Sequence, residues 1–379
     1  MVRNFIIAAS EKSGEDAVRE VSLKIKAAGA GEIGYIFILF TPHYQPLSIL
    51  KTITYALKPK SVSGLQVPSI IFEGLVIEKG IAACCLNPAA GLVKELFFKN
   101  QTAAGGIETR LRAALRETPQ EKDFFAVFPQ PPFDGGACLE EIQAALGKSF
   151  NIWGAGFTSR FNPRLFNIAE GTVEEGLLSL LGRGINMRAF KVSGFLPLGR
   201  PFAITKILAK SNIITEINGQ RADKIYKNYL EDKFETFRRN GLFPLYPLKI
   251  KKGGGERLVP VAASLDDGSL VCLGNLRDIK EGSEAHITIL HPQSLLENLT
   301  DMLFPVKQCE SGLLFMVNTL TRKKILKDHS ALEIAAIKNN LGEAFPMIGF
   351  FSDYYLFPNK EAGDTEIETG NILLSLWKS

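Results

Sequence analysis

One place in the chain has an imidazole and a phenol directly after an apolar run. His43 and Tyr44 follow the segment Tyr35–Phe40, whose unbroken apolar pattern is typical of a buried strand. Layered α/β proteins commonly build ligand sites at this end of a strand, and both side chains can hydrogen-bond a polar ligand. We therefore predict ligand contact at His43 and Tyr44. The alternative for His43 is that it caps the following helix or binds a loop carbonyl.

Two further stretches combine an arginine with an aromatic residue. Trp153 and Gly154 precede Arg160 in the first of them. Glycine permits close approach of the backbone, and a guanidinium can hold a carboxylate in a bidentate pair. The alternative for this stretch is a tight turn with a buried tryptophan and a solvated arginine. Arg322 and Tyr354 form a third candidate for ligand binding on the same reasoning.

Signatures of catalysis are poor in this chain. It has no Gly-x-Ser-x-Gly elbow, no phosphate-binding P-loop and no Gly-x-Gly-x-x-Gly that opens a helix. Its 4 histidines restrict schemes of general acid–base catalysis. We therefore expect a protein that is not an enzyme.

Composition and charge are those of an ordinary soluble globular protein. Of 379 residues, 46% are hydrophobic and 22% charged, and the formal net charge is +4. The basic residues are scattered and balanced by acids, which does not support nucleic-acid binding. No apolar run approaches the roughly 18 residues of a membrane span. We expect a cytoplasmic protein without membrane insertion.

The cysteines do not form a disulfide or metal framework in the sequence. They stand at positions 84, 85, 138, 272 and 309, an odd count without matched spacing. No Cys or His pair has the spacing of a zinc site. We expect buried free thiols in a reducing compartment and no metal.

A unit of strand, helix, short strand with glycine and final strand occurs three times in degenerate form. The first copy has the segments Tyr35–Phe40, Pro46–Leu57, Ser61–Gly64 and Ile81–Leu86. The second has Phe124–Phe128, Ala137–Leu146, Ile152–Gly154 and Leu177–Leu181, and the third has Leu313–Val317, Ser330–Leu341, Met347–Gly349 and Ile372–Leu376. If the copies are related, His43, Arg160 and Arg322 occupy comparable loops, and we expect them to converge on a shared cleft.

A strand-rich middle separates the second and third copies, and a long helix is predicted within it over Gln220–Asn240. The turn signal Asn218-Gly219 precedes this helix. We therefore predict two domains, residues 1–217 and 218–379. The predicted fold class is α+β or layered α/β. It has mixed sheets flanked by helices, in two similar-sized parts built from the repeated strand-helix-strand-strand units.

The order of several short motifs resembles the FIST family, a bacterial sensory module. The N-terminal matches are Pro42-His43-Tyr44 after an apolar strand, a proline and then Ser63-Gly64 after the next helix, and the glycine-rich turn Trp153-Gly154-Ala155-Gly156. Gly194-Phe195-Leu196-Pro197-Leu198-Gly199-Arg200-Pro201 resembles the family's Gly-x-x-Pro-x-Gly-x-Pro corner, and Pro346–Phe350 with Asn371 resembles its closing strands. The likeness covers both the N-terminal and the C-terminal FIST parts.

The C-terminal part departs from the family pattern at two places. Thr319 stands where the family often has a cysteine, three residues before Arg322. Asp353-Tyr354-Tyr355 replaces a glycine-glutamate pair. If these positions contact a ligand in relatives, this chain binds something different there, or nothing.

The resemblance implies a sensory protein of bacterial signal transduction that binds a small ligand, with amino acids as the usual proposal for the family. Its output would pass to a separate signalling protein such as a sensor kinase or a chemoreceptor. Three alternatives stay open: a haem-based gas sensor, an unrecognised enzyme and a scaffold without ligand. The histidines available to haem are His43, His286, His291 and His329, and the thiols available to an enzyme are Cys84 and Cys138.

Overall fold

The structure is a computed structural model that describes most of the chain. The described residues are 4–88, 91–98, 106–117, 123–131, 135–148, 150–158, 161–173, 176–252, 255–273, 276, 279–359 and 364–378. Within them the chain forms three units of one architecture, and a β-rich domain is inserted into the third unit.

The first unit begins with a strand and a helix that precede the predicted segments. Its elements are β1 (Phe5–Ser10), α1 (Gly14–Ala27), β2 (Tyr35–Phe40), α2 (Pro46–Leu57), β3 (Ser61–Gln66), β4 (Ile70–Phe72), β5 (Leu75–Ile77) and β6 (Ile81–Leu86). Every residue of β2 is buried, as expected for an unbroken apolar run in a sheet covered on both faces.

The second unit repeats this order of elements. They are β7 (Leu92–Phe98), α3 (Gly106–Glu117), β8 (Phe124–Pro129), α4 (Gly135–Leu146), β9 (Ile152–Gly156), β10 (Leu165–Asn167), β11 (Gly171–Val173) and β12 (Leu177–Arg183). The short pair β10 and β11 corresponds to the hairpin β4 and β5 of the first unit.

The third unit is interrupted after its first strand, β13 (Asn186–Val192), by the inserted domain. This domain contains β14 (Phe195–Leu208), β15 (Ile213–Ile217), β16 (Gln220–Arg221), α5 (Lys224–Leu230), α6 (Phe234–Arg239), β17 (Leu248–Lys252), β18 (Gly255–Val259), β19 (Val261–Ser264), β20 (Leu270–Cys272) and β21 (Glu284–Leu290). The unit resumes with α7 (Pro292–Lys307), β22 (Leu313–Thr319), α8 (Leu320–Leu326), α9 (His329–Leu341), β23 (Met347–Ser352), β24 (Tyr354–Asn359), β25 (Asp364–Glu368) and β26 (Ile372–Lys378).

All three units pair their strands in the same way, which confirms the predicted repeat. In the first unit β2 is parallel to β3 and antiparallel to β6, and β1 pairs with β6 on the outside. The second unit has β8 parallel to β9 and antiparallel to β12, with β7 outside. In the third, β22 is parallel to β23 and antiparallel to β26, with β13 outside. The predicted class, mixed sheets flanked by helices, is confirmed.

A glycine stands at the same register in β3, β9 and β23, the strands that pair in parallel with β2, β8 and β22. Gly64, Gly154 and Gly349 lie opposite the fourth residue of the preceding parallel strand. A Cβ atom at Gly349 would lie 1.9 Å from the carbonyl oxygen of Met316, and one at Gly154 would lie 1.9 Å from that of Val127. Close contact of the two backbones therefore requires glycine at both positions.

The three sheets are completed by a cyclic exchange of hairpins. The hairpin β10–β11 of the second unit pairs with β3 of the first unit, and β24–β25 of the third pairs with β9 of the second. The hairpin β4–β5 of the first unit pairs with β23 of the third and closes the cycle. Each unit thus extends the sheet of another, and the three fold as one body.

The core of this body lies between the three sheets. Aromatic rings from all three units meet there: Phe37 stacks on Phe128 at 5.4 Å, and Trp153 lies 5.2 Å from Phe315 and 5.6 Å from Trp377. The opposite face of each sheet packs on its own helices. The central strands β2, β8 and β22 are consequently buried on both faces.

The inserted domain has a core of its own, and its helical segment differs from the prediction. A single helix over Gln220–Asn240 was expected, but α5 ends where Glu231 adopts a φ of 45°, and α6 begins after a short 3-10 turn. This break lets the chain turn, and Phe237 packs edge-on against Phe243 at 4.8 Å. The two-domain division at 217/218 falls between β15 and β16 and stays a prediction.

The Gly-Pro segment after β13 joins β13 to β14. Gly194, with a φ of 76°, makes the turn into β14, and β14 runs as one strand of 14 residues in which Gly199 also has a positive φ, 70°. Its pairing with β21 skips between Leu198 and Phe202, at the bulge that holds Gly199 and Pro201. Because proline lacks a donor, an interrupted ladder is where it is tolerated.

Candidate functional site

Arg322, in the first turn of α8, is fully buried. Its Nε donates to both carboxylate oxygens of Glu333 at 3.0 Å, and Nη2 donates to the same group. Nη1 donates to the carbonyl oxygen of Gly370 at 3.1 Å and to that of Ser193. We call Arg322, Glu333, Gly370, Ser193 and Thr319 the Arg322 centre.

Glu333 is a charged residue buried at a helix–sheet interface. It lies on α9, is 1% exposed and faces the sheet side of the helix with Ile334 and Ile337. A carboxylate buried there would be strongly disfavoured alone. The bidentate pairing with Arg322 compensates both charges and fixes α8 against α9.

Thr319 joins the centre to the turn before β26. Its hydroxyl oxygen accepts from the backbone N–H of Arg322 at 3.3 Å, which caps α8, and from that of Gly370 at 3.1 Å. The Thr319 hydroxyl thus already accepts two backbone donors. Such a residue stabilises local structure and offers no thiolate.

The inserted domain begins at the Arg322 centre. Ser193, whose carbonyl accepts from Arg322, is followed by Gly194 and by Phe195, the first residue of β14. The ring of Phe195 lies 5.9 Å from the guanidinium carbon. Phe195 also packs in a small apolar cluster that contains Leu258 of the inserted domain and Leu295 of α7. The joint between the body and the inserted domain is thus made around one buried guanidinium.

A second buried acid lies beside the centre on the sheet side. Glu368 accepts from the Tyr355 hydroxyl at 2.9 Å, from Asn371 Nδ2 at 3.3 Å and from Lys191 Nζ at 2.8 Å. Burial and the neighbouring carboxylate of Glu368 raise the pKa of Tyr355 well above its ordinary value, while Arg322 lowers it. The two acids and two bases form adjoining ion pairs, so the region carries no uncompensated charge.

Several polar atoms around the centre have no hydrogen-bond partner among the described residues. They are Nδ2 of Asn318, Oγ1 of Thr369 and Oδ1 of Asn371, all in buried residues. A buried polar group without a partner costs about 1–3 kcal/mol, and native proteins keep such groups where water or a ligand supplies the missing bond. These three residues adjoin Thr319 and Gly370 along the chain.

The predicted stretch around Trp153 lies partly in the aromatic core and partly against the hairpin β24–β25 of the third unit. Trp153 is fully buried among aromatic rings, and Gly154 pairs closely with β8. Tyr354 lies opposite Gly156, where an added Cβ would be 2.1 Å from the tyrosine hydroxyl. The structure therefore brings Tyr354 to the strand of Trp153 and Gly154. Arg160 lies outside the described residues.

His43 and Tyr44 point in different directions at the start of α2. His43 is exposed, and its Nδ1 lies 3.3 Å from the hydroxyl of Thr41. Tyr44 is buried, and its hydroxyl donates to the carbonyl oxygen of Lys12. Burial raises the pKa of Tyr44, and Glu11 adds to the effect. The contacts described for His43 and Arg322 have no residue in common, so the shared cleft stays a prediction.

The structure adds Glu333, Glu368 and Lys191 to the site that the sequence indicates. Glu333 interrupts the apolar face of the predicted helix Ser330–Leu341, which was a usable signal. Glu368 precedes the final strand and lacks any such signal, because its partners come from three separate elements. Tyr355 was noted only as a departure from the family pattern.

The histidines considered for haem binding and the cysteines considered for catalysis lie on separate parts of the fold. His43 is exposed, His286 is on β21, His291 caps α7 through its Nδ1, and His329 begins α9. All five cysteines are buried and free, as predicted, and burial raises the pKa of Cys84 to about 12. A thiol with this pKa is neutral at physiological pH, which argues against Cys84 as a reactive nucleophile.

Among the described residues, no cluster of three or more His, Cys, Asp or Glu side chains is arranged to hold a metal ion. None of the helices in the described ranges is long and apolar enough to span a membrane.

The fold and the site define an α+β protein that consists of a three-unit body and an inserted domain, with a buried arginine at their joint. Comparison with known families identifies the class further. Residues 35–220 match the FIST N domain and residues 222–353 match the FIST C domain, so the chain belongs to the FIST family. FIST domains are sensory modules of signal transduction. No curated protein matches the chain significantly.

Proposed function

We propose that the protein senses a small ligand, with amino acids as the first class to test, and signals through the Arg322 centre to a separate partner. The observation that carries this proposal is the set of bonds made by one buried guanidinium. It contacts α9 through Glu333, the turn before β26 through Gly370, and the start of the inserted domain through Ser193. Any ligand that alters one of these contacts alters the others.

The ligand site would be formed by the polar atoms without partners, on Asn318, Thr369 and Asn371. A ligand that supplies their missing bonds must be small and must carry both donors and acceptors. Because the neighbouring charges are already paired, a neutral or zwitterionic molecule fits better than an ion of net charge. The two charged groups of an amino acid compensate each other and meet this requirement.

Signalling would follow from a shift in how the inserted domain docks on the third unit. A ligand shifts such an equilibrium only by its difference in affinity for the two arrangements. The apolar part of this joint is the small cluster around Phe195 and Leu258, so the polar contacts of Arg322 carry much of its specificity. A sensor kinase or a chemoreceptor in the cytoplasm would read the docked and released states.

A thermal-shift screen tests this proposal. Purified protein is heated with each of the amino acids, with small carboxylates and with haem. A ligand at about 100 times its dissociation constant adds about 2.7 kcal/mol to the free energy of unfolding. We expect an amino acid to give such a shift. A Soret band with haem and no shift with any amino acid would favour the haem sensor instead.

A matched pair of variants locates the site. Thr369→Val removes a buried hydroxyl that has no partner and keeps the shape of the side chain, and Thr172→Val makes the same change on β11. We expect Thr369→Val to weaken the ligand that the screen identifies and Thr172→Val to leave its affinity unchanged. Equal affinity in both variants would contradict a site beside the Arg322 centre.

A further inference from the structure

In each unit one helix (α2, α4 or α9) packs beside the hairpin that another unit supplies. We call each of these three contacts a seam, and the three can be compared residue by residue. The helices α2, α4 and α9 each end at a leucine. A residue with positive φ follows in every case, 48° at Lys58, 91° at Gly147 and 75° at Gly342. This shared end aligns the three helices, because a left-handed residue is the usual stop of a helix.

In two of the three units a polar side chain closes the seam. Lys338 stands three residues before the leucine of α9, and its Nζ lies 2.8 Å from Oε2 of Glu73, the first residue after β4. Gln143 stands at the same position of α4. Its Nε2 donates to Oδ1 of Asp364 and lies 3.5 Å from the carbonyl oxygen of Thr365. A direct bond therefore holds the helix to the hairpin in both seams.

The seam of the first unit lacks this bond. The position of Lys338 is taken by Thr54 on α2, whose hydroxyl is buried and has no partner among the described residues. The position of Glu73 is taken by Ile168, the first residue after β10. A groove of about 500 Å³ opens here, with a lining made of Leu50, Lys51, Thr54, Tyr55, Lys58 and Ile168. Small-molecule sites commonly have volumes of about 300–1,000 Å³.

The groove combines apolar walls with two lysines that have no acidic partner in the part of the chain that the structure describes. Tyr55 is 87% exposed and Ile168 45% exposed, although both are large and hydrophobic. Within the described part of the chain, neither Lys51 nor Lys58 forms an ion pair, whereas nearby Lys60 pairs with Glu32 at 2.7 Å. An unpaired positive rim around an apolar wall complements an anion with an apolar body.

We propose that this groove binds a small organic acid. The apolar body of the acid would cover Leu50, Tyr55 and Ile168, and its carboxylate would lie between Lys51 and Lys58. Bound acid braces the first seam as the direct bonds brace the other two, and it does so between the first unit and the hairpin of the second. This site is separate from the Arg322 centre and does not rest on the function proposed above.

Octanoate and octanol are the probes, because they share an apolar chain and differ in charge. Isothermal titration calorimetry of the full chain at low salt should show saturable binding of octanoate. Octanol should bind on the order of tenfold more weakly, since two exposed lysines contribute modestly. The octanoate affinity should fall as salt is added. Equal binding of the two probes would overturn the proposed role of the lysines.

Transplanting the bond of the third seam provides the decisive variant. T54K with I168E places a lysine and a glutamate where Lys338 and Glu73 stand, and we expect loss of octanoate binding. Ile168→Glu alone, at a half-exposed position, serves as a second variant if the double change does not fold. Retained octanoate affinity in a folded variant of either kind overturns the proposal.

Two sets of controls complete the test: lysine variants at the rim of the groove, and lipid vesicles as an alternative source of the acid. Lys51→Gln and Lys58→Gln should each weaken octanoate about threefold and leave octanol unchanged, while Lys60→Gln should change neither. Cosedimentation with phosphatidylglycerol vesicles separates a free acid from a lipid surface. Free octanoate should bind while the vesicles do not. Vesicle binding that persists in the T54K/I168E variant would overturn a site for a free acid.

Discussion

Arg322 and Glu333 form a bidentate ion pair in which both carboxylate oxygens lie 3.0 Å from Nε and neither side chain is more than 1% exposed. The arginine is on α8 and the acid on α9, so the pair fixes two consecutive helices against the sheet. The same guanidinium also holds the start of the inserted domain. The pair is therefore a structural joint and the centre of the proposed signalling mechanism.

Removing the arginine alone should be costly. Arg322→Met leaves Glu333 as a buried charge without its partner, and we expect about 3–5 kcal/mol of lost stability in urea unfolding. Glu333→Leu should cost a similar amount. The double variant Arg322→Met/Glu333→Leu should recover part of the loss, with a coupling energy on the order of 2 kcal/mol. Strict additivity of the two single changes would contradict the pairing.

Gly349, the glycine that β23 shares with β3 and β9, should not tolerate a side chain. In Gly349→Ala the new Cβ would meet the carbonyl oxygen of Met316 at 1.9 Å, and β22 and β23 must separate. We expect a loss of about 1–3 kcal/mol, measured by thermal unfolding. Gly31→Ala is the control, because nothing lies within 4 Å of that position. Equal stability of the two variants would argue against the close strand contact.

The hydroxyl of Tyr355 should contribute through its bond to Glu368. Tyr355→Phe removes a buried donor 2.9 Å from the carboxylate, and hydrogen bonds to charged groups contribute about 1.5–3 kcal/mol. We expect a loss in that range in urea unfolding. Tyr55→Phe, at an exposed position, should change stability by less than about 0.5 kcal/mol. No loss in Tyr355→Phe would contradict a stabilising bond between the Tyr355 hydroxyl and Glu368.

Glu95 should make the first interface between units sensitive to pH. Burial raises the pKa of Glu95, against smaller lowering effects of hydrogen bonds from Ser61, Ser63 and Asn167. The folded protein therefore holds this proton more tightly than the unfolded chain. The corresponding stability is fully present below the unfolded pKa, about 4.3, and is lost as pH rises through the folded value.

Urea unfolding between pH 4 and pH 8 checks this sign. Glu95→Gln keeps the hydrogen-bonding shape without the charge, and its stability should fall less than that of the natural chain as pH rises. Glu20 provides the opposite case, because hydrogen bonds from Ser10 and Lys24 lower its pKa to about 2. Its contribution is present at neutral pH and is lost on acidification. A pH profile unchanged in Glu95→Gln would refute the prediction.

The sequence predicted the repeated part of the fold and missed the exchange that joins it. Apolar strands and amphipathic helices have local periods, so the three copies could be located within a few residues of their observed bounds. The partner strand of each hairpin is set by contacts between different units. Tyr354, for example, pairs with Gly156, and neither residue marks the other in the sequence.

The sequence indicated the charged residue of the candidate site, Arg322, but not the contacts that this residue makes. An arginine just after an apolar strand drew attention to Arg322, but its burial depends on Glu333 and on the carbonyl oxygens of Ser193 and Gly370. Those carbonyls belong to residues 129 and 48 positions away along the chain. Backbone acceptors have no sequence signature, so the link to the inserted domain required the structure.

Hydrogen exchange of Arg322→Lys tests the central claim most directly. Lysine keeps the charge beside Glu333 but lacks the planar fork that also reaches Ser193 and Gly370. We predict faster exchange in residues 194–208 and in the turn before β26, with unchanged protection in β2 and β8 of the other units. Unchanged exchange at 194–208, or an equal increase throughout all three units, would contradict a joint held by Arg322.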